Sequence, residues 1–342
     1  MNGRRGMLAR ILSTGRLTGV VGRIRARRRL EVPILAYHRI WDLASDGHFP
    51  YDVELISAST ADFAWQVQYV RENFDPITFD TLIKILDGAL PAPPRPLIMT
   101  FDDGYDDNYH HAFPILLAHG VPATVFLATG YIDQPQTFWY DRLAQLVMTA
   151  APREIRLPGL AEPQTLPAAP NGRRMALKQL LKHLKQVPNE MRLAALRRLE
   201  SDLTEDDIPH ESPQSRPLNW NQVREMAAGG IEFGSHSVSH PILANLTDAD
   251  LWCELTESRR VIEDQLRTPV QVISYPVGGV SAFDERVRRM ARGAGYRLGV
   301  SYLPGSNALN SFDPFAVRRL HVERYTDRSY FSAMLNIPEL FA

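Results

Sequence analysis

The chain contains, at residues 97–105, the stretch LIMTFDDGY. Its first five residues predict a buried β-strand, and two adjacent carboxylates, Asp102 and Asp103, follow directly where that strand ends. A second loop, GSHSVSH at residues 234–240, follows another short apolar strand and carries His236 and His240. Both motifs therefore place chemically reactive side chains at the carboxyl end of a strand.

Around these two loops, short apolar strands alternate with helical stretches from Glu31 onward, which predicts a largely parallel α/β sheet or barrel. In a barrel the carboxyl ends of all strands share one face, so the two loops are expected to converge. The pattern predicts strands at 34–37, 97–101, 123–128, 231–233, 270–275, 296–301 and 315–322, and helices at 60–73, 78–88, 107–119, 220–228, 248–266 and 283–294.

Residues from about 141 to 217 interrupt this alternation. Leu177, Leu180, Leu181 and Leu184 have the spacing of an amphipathic helix, so the segment is interpreted as a helical insertion whose leucines pack into a core. The 342 residues then divide into a leader at 1–30 and a barrel at 31–342 that carries the insertion.

Composition and charge exclude several classes of protein. With 44% hydrophobic and 23% charged residues, the chain is neither a collagen, a coiled coil nor a mostly disordered protein. The single cysteine, Cys253, excludes an intramolecular disulfide and a cysteine-only zinc cluster. Beyond residue 30 the chain holds 29 Lys and Arg against 39 Asp and Glu, and this acidic body argues against a nucleic-acid enzyme.

The first 30 residues hold nine arginines and no acidic residue. Their apolar run is too short to span a bilayer. Three interpretations stay open: a basic tail, a helix at residues 1–29 that contacts an anionic membrane surface, and an export signal. The first two favour a cytoplasmic protein, peripheral at the inner membrane surface in the second case.

The two loops together predict a metal centre. One carboxylate and two imidazoles form a ligand set that leaves open positions on a divalent ion, and the second carboxylate can act as a base. Either motif alone is commonly a solvated turn or a pair of unrelated histidines. Zinc suits these ligands best, and manganese, cobalt or nickel would also fit.

The motifs also carry a resemblance to a known family. The stretch TFDDGY at 100–105 and the stretch HSVSH at 236–240 resemble the first and second motifs of the polysaccharide deacetylases, carbohydrate esterase family four. Residues 218–230 resemble the lead-in to the second motif, and the likeness covers about 31–140 and 218–322. The resemblance implies a distorted (β/α) barrel of about seven strands, here with a helical insertion.

The resemblance also implies roles for single residues. It implies that Asp102 is the general base and that the backbone N–H of Tyr105 faces the oxyanion. Tyr275 and Pro276 stand in the stretch SYPVG, which resembles the third motif and is expected near the substrate. The implied metal ligands are Asp103, His236 and His240.

Some family features are absent from this chain. The usual arginine of the third motif is missing, and the Asp and Trp that orient the base have no match. Leu320 and His321 are adjacent where the family has Leu-x-His, so His38 and His321 are both candidates for the general acid. His110 and His111 are interpreted as structural or surface residues. Trp139 and Tyr140 are interpreted as core residues, with stacking on a sugar as the alternative. Arg318 and Arg319 are interpreted as solvated, with binding of a substrate anion as the alternative.

These observations predict a metal-dependent hydrolase that removes an N- or O-linked acetyl group from a sugar in a polysaccharide or glycan precursor. A deformylase or other amide hydrolase acting on a lipid-linked sugar or a small cyclic amide is the nearest alternative. A glycan-binding relic without activity is an alternative of another class, suggested by the incomplete motifs.

Overall fold

The computed structural model describes residues 19, 22–25, 29–43, 49–160, 162–203, 215–311 and 313–341. Seven parallel strands close into a barrel in the order β1-β7-β6-β5-β4-β3-β2 and back to β1, which confirms the predicted fold class. The barrel strands are β1 Ile34–Tyr37, β2 Pro96–Phe101, β3 Thr124–Leu127, β4 Glu232–Ser235, β5 Val272–Ser274, β6 Leu298–Pro304 and β7 Val317–His321.

Helices cover the outside of the barrel, and the side chains that precede them explain where they begin. Ser59, Thr247 and Asp284 each accept a hydrogen bond from a backbone N–H in the first turn, and Asn219 forms a complete capping box with Gln222. The α-helices of the described residues are α1 Thr60–Asn73, α2 Phe79–Leu86, α3 Phe113–His119, α4 Trp139–Thr149, α5 Pro170–Leu184, α6 Asn189–Leu203, α7 Trp220–Ala228, α8 Asp248–Leu266, α9 Glu285–Gly293, α10 Arg328–Asn336 and the one-turn α11 Pro338–Phe341.

The predicted helix at 107–119 is two elements in the structure. A π-helical turn, Asn108–Ala112, follows the Asp-Asp motif, and α3 continues from it and ends at Gly120, whose φ is 60°. Such π-turns commonly occur beside functional sites because they redirect side chains. Here the turn brings Asn108 against the end of β1, where its Nδ2 donates to the carbonyl oxygen of His38.

The barrel interior changes from apolar to polar toward the carboxyl ends of the strands. Alternate residues of a strand face the same side, so Ile98, Thr100 and Asp102 succeed one another along the inner face of β2. Ile98 lies in an apolar cluster with Phe126 and Val317. One layer higher, Thr100 accepts a hydrogen bond from Arg319 of β7. The polar layer lies directly beneath the Asp-Asp motif.

The segment between β3 and β4 forms a separate core beside the barrel mouth. It contains α4, α5, α6 and a two-stranded antiparallel hairpin, Arg153–Ile155 with Gln164–Leu166, which the sequence pattern did not predict. The leucines at 177, 180, 181 and 184 are buried in this core, as their helical spacing predicts.

Most of the basic leader lies outside the described residues, so its three interpretations stay predictions. Within residues 22–25, Arg25 forms ion pairs with Glu31 at 2.5 Å and with Glu339. Among the helices that the structure describes, none combines the length and the apolar character needed to cross a bilayer.

Candidate active site

Asp103, His236 and His240 converge at the mouth of the barrel. Oδ1 of Asp103 lies 3.4 Å from Nε2 of His236 and 3.2 Å from Nε2 of His240, and all three residues are buried. No hydrogen bond to a described residue satisfies Asp103 Oδ1. Three donor atoms therefore face one point, as the ligands of a metal ion do.

The histidine loop is held in an unusual backbone conformation. Ser237 and His240 have positive φ values of 67° and 52°, and Asp103 in the facing loop has one of 76°. Glu254 of α8 accepts hydrogen bonds from the N–H of Val238 at 2.6 Å and from the N–H and Oγ of Ser239 at 3.0 and 2.6 Å. Because positive φ is costly for these residues, the carboxylate of Glu254 stabilises the loop in the geometry that aims both imidazoles.

A divalent cation fits these residues. Ligand bonds of 2.0–2.2 Å place neighbouring donors about 2.9 Å apart at 90° and about 3.4 Å apart at tetrahedral angles, and the observed separations fall in this range. Nδ1 of His236 lies 2.7 Å from the carbonyl oxygen of Ser274, which fixes its proton there and leaves Nε2 free to bind a metal. Burial lowers the pKa of His240 to about 4, so its ring is neutral, the form that binds metals.

Asp102 faces a buried arginine. Its two carboxylate oxygens accept hydrogen bonds from Nη1 and Nη2 of Arg319 at 2.8 and 2.7 Å. Burial, the largest single effect, would raise the pKa of Asp102, but Arg319, His236 and His38 together outweigh it and lower the pKa to about 2. The carboxylate is therefore ionised at neutral pH, the state that a general base requires.

Arg319 itself is wholly buried inside the barrel. Besides Asp102, it donates to the carbonyl oxygen of Ser301 and to Oγ of Ser274. Arg318 points outward, and its Nη1 donates to the carbonyl oxygen of Pro304. The interpretation of Arg319 as solvated or as a substrate contact is thus wrong, because strand alternation turns residue 319 inward and residue 318 outward.

His38 lies on the other side of Asp102. Its Nε2 is 4.0 Å from Asp102 Oδ2, 18% of its side chain is exposed, and it lines the cavity above Asp103, His236 and His240. Ser57 Oγ accepts from its N–H at 2.9 Å, so both of its backbone polar groups are tied down. Burial lowers the pKa of His38, against the opposing effect of Asp103 and Asp102.

His321 is separated from the cavity by Tyr302. The two rings stack with centroids 3.6 Å apart and planes inclined by 7°, and Tyr302, not His321, lines the cavity. Burial, reinforced by Arg319, lowers the pKa of His321 to about 3. A neutral imidazole behind another ring cannot reach a leaving group, so the geometry favours His38 over His321.

The remaining predicted site residues fall into two groups. The ring of Tyr105 is buried, and its hydroxyl donates to Asp141 at 2.8 Å, whereas its backbone N–H donates to no described residue. Tyr275 and Pro276 are buried outside the cavity, and the Tyr275 hydroxyl donates to the carbonyl oxygen of Phe315. Their neighbour Val277 lines the cavity instead.

The cavity above these residues has a volume of about 310 Å³, at the lower end for small-molecule sites. The insertion contributes part of its wall through Leu181, which was predicted only as a core residue, and through Lys185, for which the sequence predicted no role. Tyr140 also lines it and contacts the ring of His240, while Trp139 Nε1 donates to the carbonyl oxygen of His240. Both aromatic residues therefore support the histidine loop. His110 is exposed and His111 contacts the ring of Trp41, away from the cavity.

Comparison with known proteins identifies relatives. The sequence model of the polysaccharide deacetylase family matches residues 89–299. The Bacillus subtilis (strain 168) protein YxkH, whose name describes it as a polysaccharide deacetylase, is 22% identical over 313 residues. The match covers 91% of this chain and 78% of YxkH. A poly-beta-1,6-N-acetyl-D-glucosamine N-deacetylase of Escherichia coli (strain K12) is 30% identical over 102 residues, which are 30% of this chain and 14% of that protein.

Solved structures share the fold. The deacetylase PplD of Streptococcus pyogenes, in complex with acetate, aligns with a TM-score of 0.59 at 19% identity and covers 92% of this chain and 99% of its own. A deacetylase domain of BpsB from Bordetella bronchiseptica aligns with a TM-score of 0.52 at 21% identity, covering 86% of this chain and 97% of its own.

Proposed function

This chain belongs to the polysaccharide deacetylase family, and on that premise we propose that it is a metal-dependent hydrolase that removes an N-linked acetyl group from a sugar in a glycan or glycan precursor. The observation that carries the proposal is that a candidate general base and a candidate metal site lie side by side in one cavity. An ionised carboxylate, Asp102, stands directly beside the three converging donors of Asp103, His236 and His240.

The chain's own residues supply the proton transfers. Asp102 takes the proton of the water that attacks the acetyl carbonyl carbon, and Arg319 holds both carboxylate oxygens in place for this step. A divalent ion bound by the three donors would polarise the carbonyl and make water more acidic. The backbone N–H of Tyr105 is free to donate to the oxygen on which negative charge develops.

His38 completes the reaction on the leaving-group side. When the C–N bond breaks, the sugar nitrogen must gain a proton, because an amide anion is a very poor leaving group. His38 lies 4.0 Å from Asp102, so the proton taken from water can pass through His38 to that nitrogen. The products are acetate and a free amino sugar, and both residues return to their starting protonation states.

The proposal is tested by metal content and acetate release on chitotetraose, a neutral N-acetylglucosamine oligomer. Asp102→Asn should retain the metal and lose hydrolysis, whereas His236→Ala should lose both. His38→Asn should lower kcat by at least about 10²-fold, the lower range for a general acid.

His321→Asn is the matched control, since this histidine lies behind Tyr302. It should keep turnover within about threefold of the unaltered chain. Turnover that survives in both Asp102→Asn and His38→Asn would contradict the mechanism, and an unaltered chain that binds no metal and releases no acetate would favour the glycan-binding relic.

A further inference from the structure

A second cavity adjoins the active-site cavity and runs along helix α5. This groove has a volume of about 660 Å³, roughly twice that of the cavity above the metal ligands. The two share Asp52, Glu54, Leu181, Lys185 and Val277 in their walls, so they adjoin each other. A substrate that places one sugar over the metal ligands would extend its next unit into this space, which we call the α5 groove.

The α5 groove is lined by positive charge. Arg174, Lys178, Lys182 and Lys185 follow one another at intervals of four, four and three residues, so they share one face of α5 and its carboxyl end. From Pro170 to Pro188 the sequence contains five Lys and Arg and no acidic residue. This concentration is notable because the chain beyond residue 30 carries 29 Lys and Arg against 39 Asp and Glu.

The lysines of the groove have no protein partner within the described residues. Lys178, Lys182 and Lys185 form neither a hydrogen bond nor an ion pair there, although the fields of Asp52 and Asp103 reach Lys185. Arg174 donates to the carbonyl oxygens of Tyr51 and Phe49.

Two acidic residues face the lysines from across the groove. The carboxylate of Asp52 accepts from the N–H of Glu54, and Glu54 lies 3.9 Å from Arg324. Apolar residues such as Ile242, Val277 and Ala282 form most of the remaining wall, together with Gln186 and Ser281. The three lysines outnumber these two carboxylates, so the groove lining is positive. The apolar part of the wall strengthens its attraction for an anion by lowering the local dielectric constant.

We propose that the α5 groove binds an anionic group, a carboxylate or a phosphate, carried by a sugar next to the one that is deacetylated. The proposal rests on the proposed function and specifies its substrate as a negatively charged glycan. Lys185 lines both cavities, and Lys178 lies about 10 Å farther along the helix axis, so Lys178 meets a charge on a neighbouring unit rather than on the acetylated sugar itself. Charge-assisted contacts of this kind both strengthen binding and fix the register of the glycan.

The test compares three tetrasaccharides on the full-length chain. The neutral one is chitotetraose, the second alternates N-acetylglucosamine with glucuronic acid, and the third is chitotetraose with a 6-phosphate on one internal unit. Dissociation constants are measured by calorimetry in the Asp102→Asn background, which prevents turnover, and kcat/KM is measured without that change. We expect a charged tetrasaccharide to bind about tenfold more tightly than the neutral one, with the preference reduced at high salt.

Lys178→Gln combined with Lys182→Gln should reduce the ratio of charged to neutral affinity, and the ratio of the two kcat/KM values, to near one. The matched control is Lys84→Gln on α2, whose side chain is exposed and pairs with Asp80 outside the groove. It should leave both ratios unchanged.

The outcomes separate this proposal from the proposed function. A lysine-dependent preference for an anionic tetrasaccharide supports the α5 groove even where no probe releases acetate, a result that would overturn only the proposed function. Preference for the phosphate alone or for the carboxylate alone identifies the anion. Equal affinity for all three tetrasaccharides, no measurable binding included, overturns the proposal whether or not acetate is released.

Discussion

Replacing Arg319 by Met should damage both the stability of the barrel and the action of Asp102. The guanidinium is wholly buried and forms two hydrogen bonds with Asp102, with further ones to the barrel strands. Removing one partner of such a buried pair leaves an uncompensated carboxylate and costs about 3–5 kcal/mol of the free energy of unfolding. Most domains have only about 5–15 kcal/mol in total, so the loss is measurable by urea unfolding.

The same substitution should change the pH dependence of catalysis. Arg319 is the main group that lowers the pKa of Asp102 against burial, so without it burial prevails and the pKa rises. Asp102 is then protonated at pH values where the unaltered chain keeps it ionised. We expect kcat at pH 6 to fall by about 10²–10⁴-fold, the range for loss of a general base, and to recover in part as the pH is raised.

Arg318→Met is the matched control because this neighbouring arginine is exposed on the outer side of β7. It should change the free energy of unfolding by no more than about 0.5 kcal/mol and leave the pH profile in place. Arg319→Lys keeps the positive charge but cannot form both hydrogen bonds to Asp102. Its loss of stability and of kcat should therefore lie between those of Arg318→Met and Arg319→Met, which keeps the test informative where Arg319→Met does not fold. The reasoning would be refuted by equal losses of unfolding free energy in Arg318→Met and Arg319→Met. It would also be refuted if the low-pH side of the kcat profile did not shift in the Arg319 variants.

Three further predictions concern other polar groups. Glu254→Gln should weaken metal affinity about 10–100-fold, measured by competition with a chelator. The reason is that the single amide oxygen of glutamine cannot accept all three hydrogen bonds that the carboxylate accepts from the histidine loop. Unchanged affinity would show that Glu254 does not support that loop. The pKa of His321 is lowered to about 3 by burial and then Arg319, so the unfolded chain binds the proton first and stability is lost as pH falls below about 6.5. His321→Phe keeps a ring stacked on Tyr302 and should reduce the loss of unfolding free energy between pH 7 and 4 by a few kcal/mol, measured by urea unfolding. An unchanged dependence of the unfolding free energy on pH would contradict this role of His321. Burial raises the pKa of Asp141 to about 6, so its contribution to stability is fully present below about pH 3.8 and is lost as pH rises through 6. Asp141→Asn, which still accepts from Tyr105, should therefore gain up to about 3 kcal/mol relative to the unaltered chain between pH 4 and 8, and a gain at low pH instead would contradict this sign.

The barrel and the convergence of its two loops were predictable because both depend on local patterns. An apolar strand followed by Asp102 and Asp103 is visible in a short window, and strand order in a parallel barrel places such loops on one face. Arg319 was not predictable in the same way, since its partner lies 217 positions earlier in the chain. The stretch VRRLH at 317–321 contains the required alternation, but nothing in it says which side of the strand faces the barrel interior.

The insertion shows a second limit of the sequence. Helical spacing correctly buries Leu181, yet the same residue also lines the active-site cavity, because α5 lies at the barrel mouth. Lys185, beyond the end of that helix, looks in the sequence like any solvated charge. Only the packing of the insertion against the barrel reveals that this face of α5 is part of the site.

The position of Arg319 also bears on the interpretation of the chain as a relic. That interpretation depended on the missing arginine of the third motif and on the missing residues that orient the base. In a closed barrel, however, any inward position in the layer beneath Asp102 can supply a cation, whichever strand carries it. Strand β7 does so here, with two hydrogen bonds to the carboxylate and others to the barrel strands. A buried arginine is costly unless its partner is ionised, so this pair is expected in a protein that uses an ionised Asp102. The missing motif residues are therefore no longer evidence against catalysis.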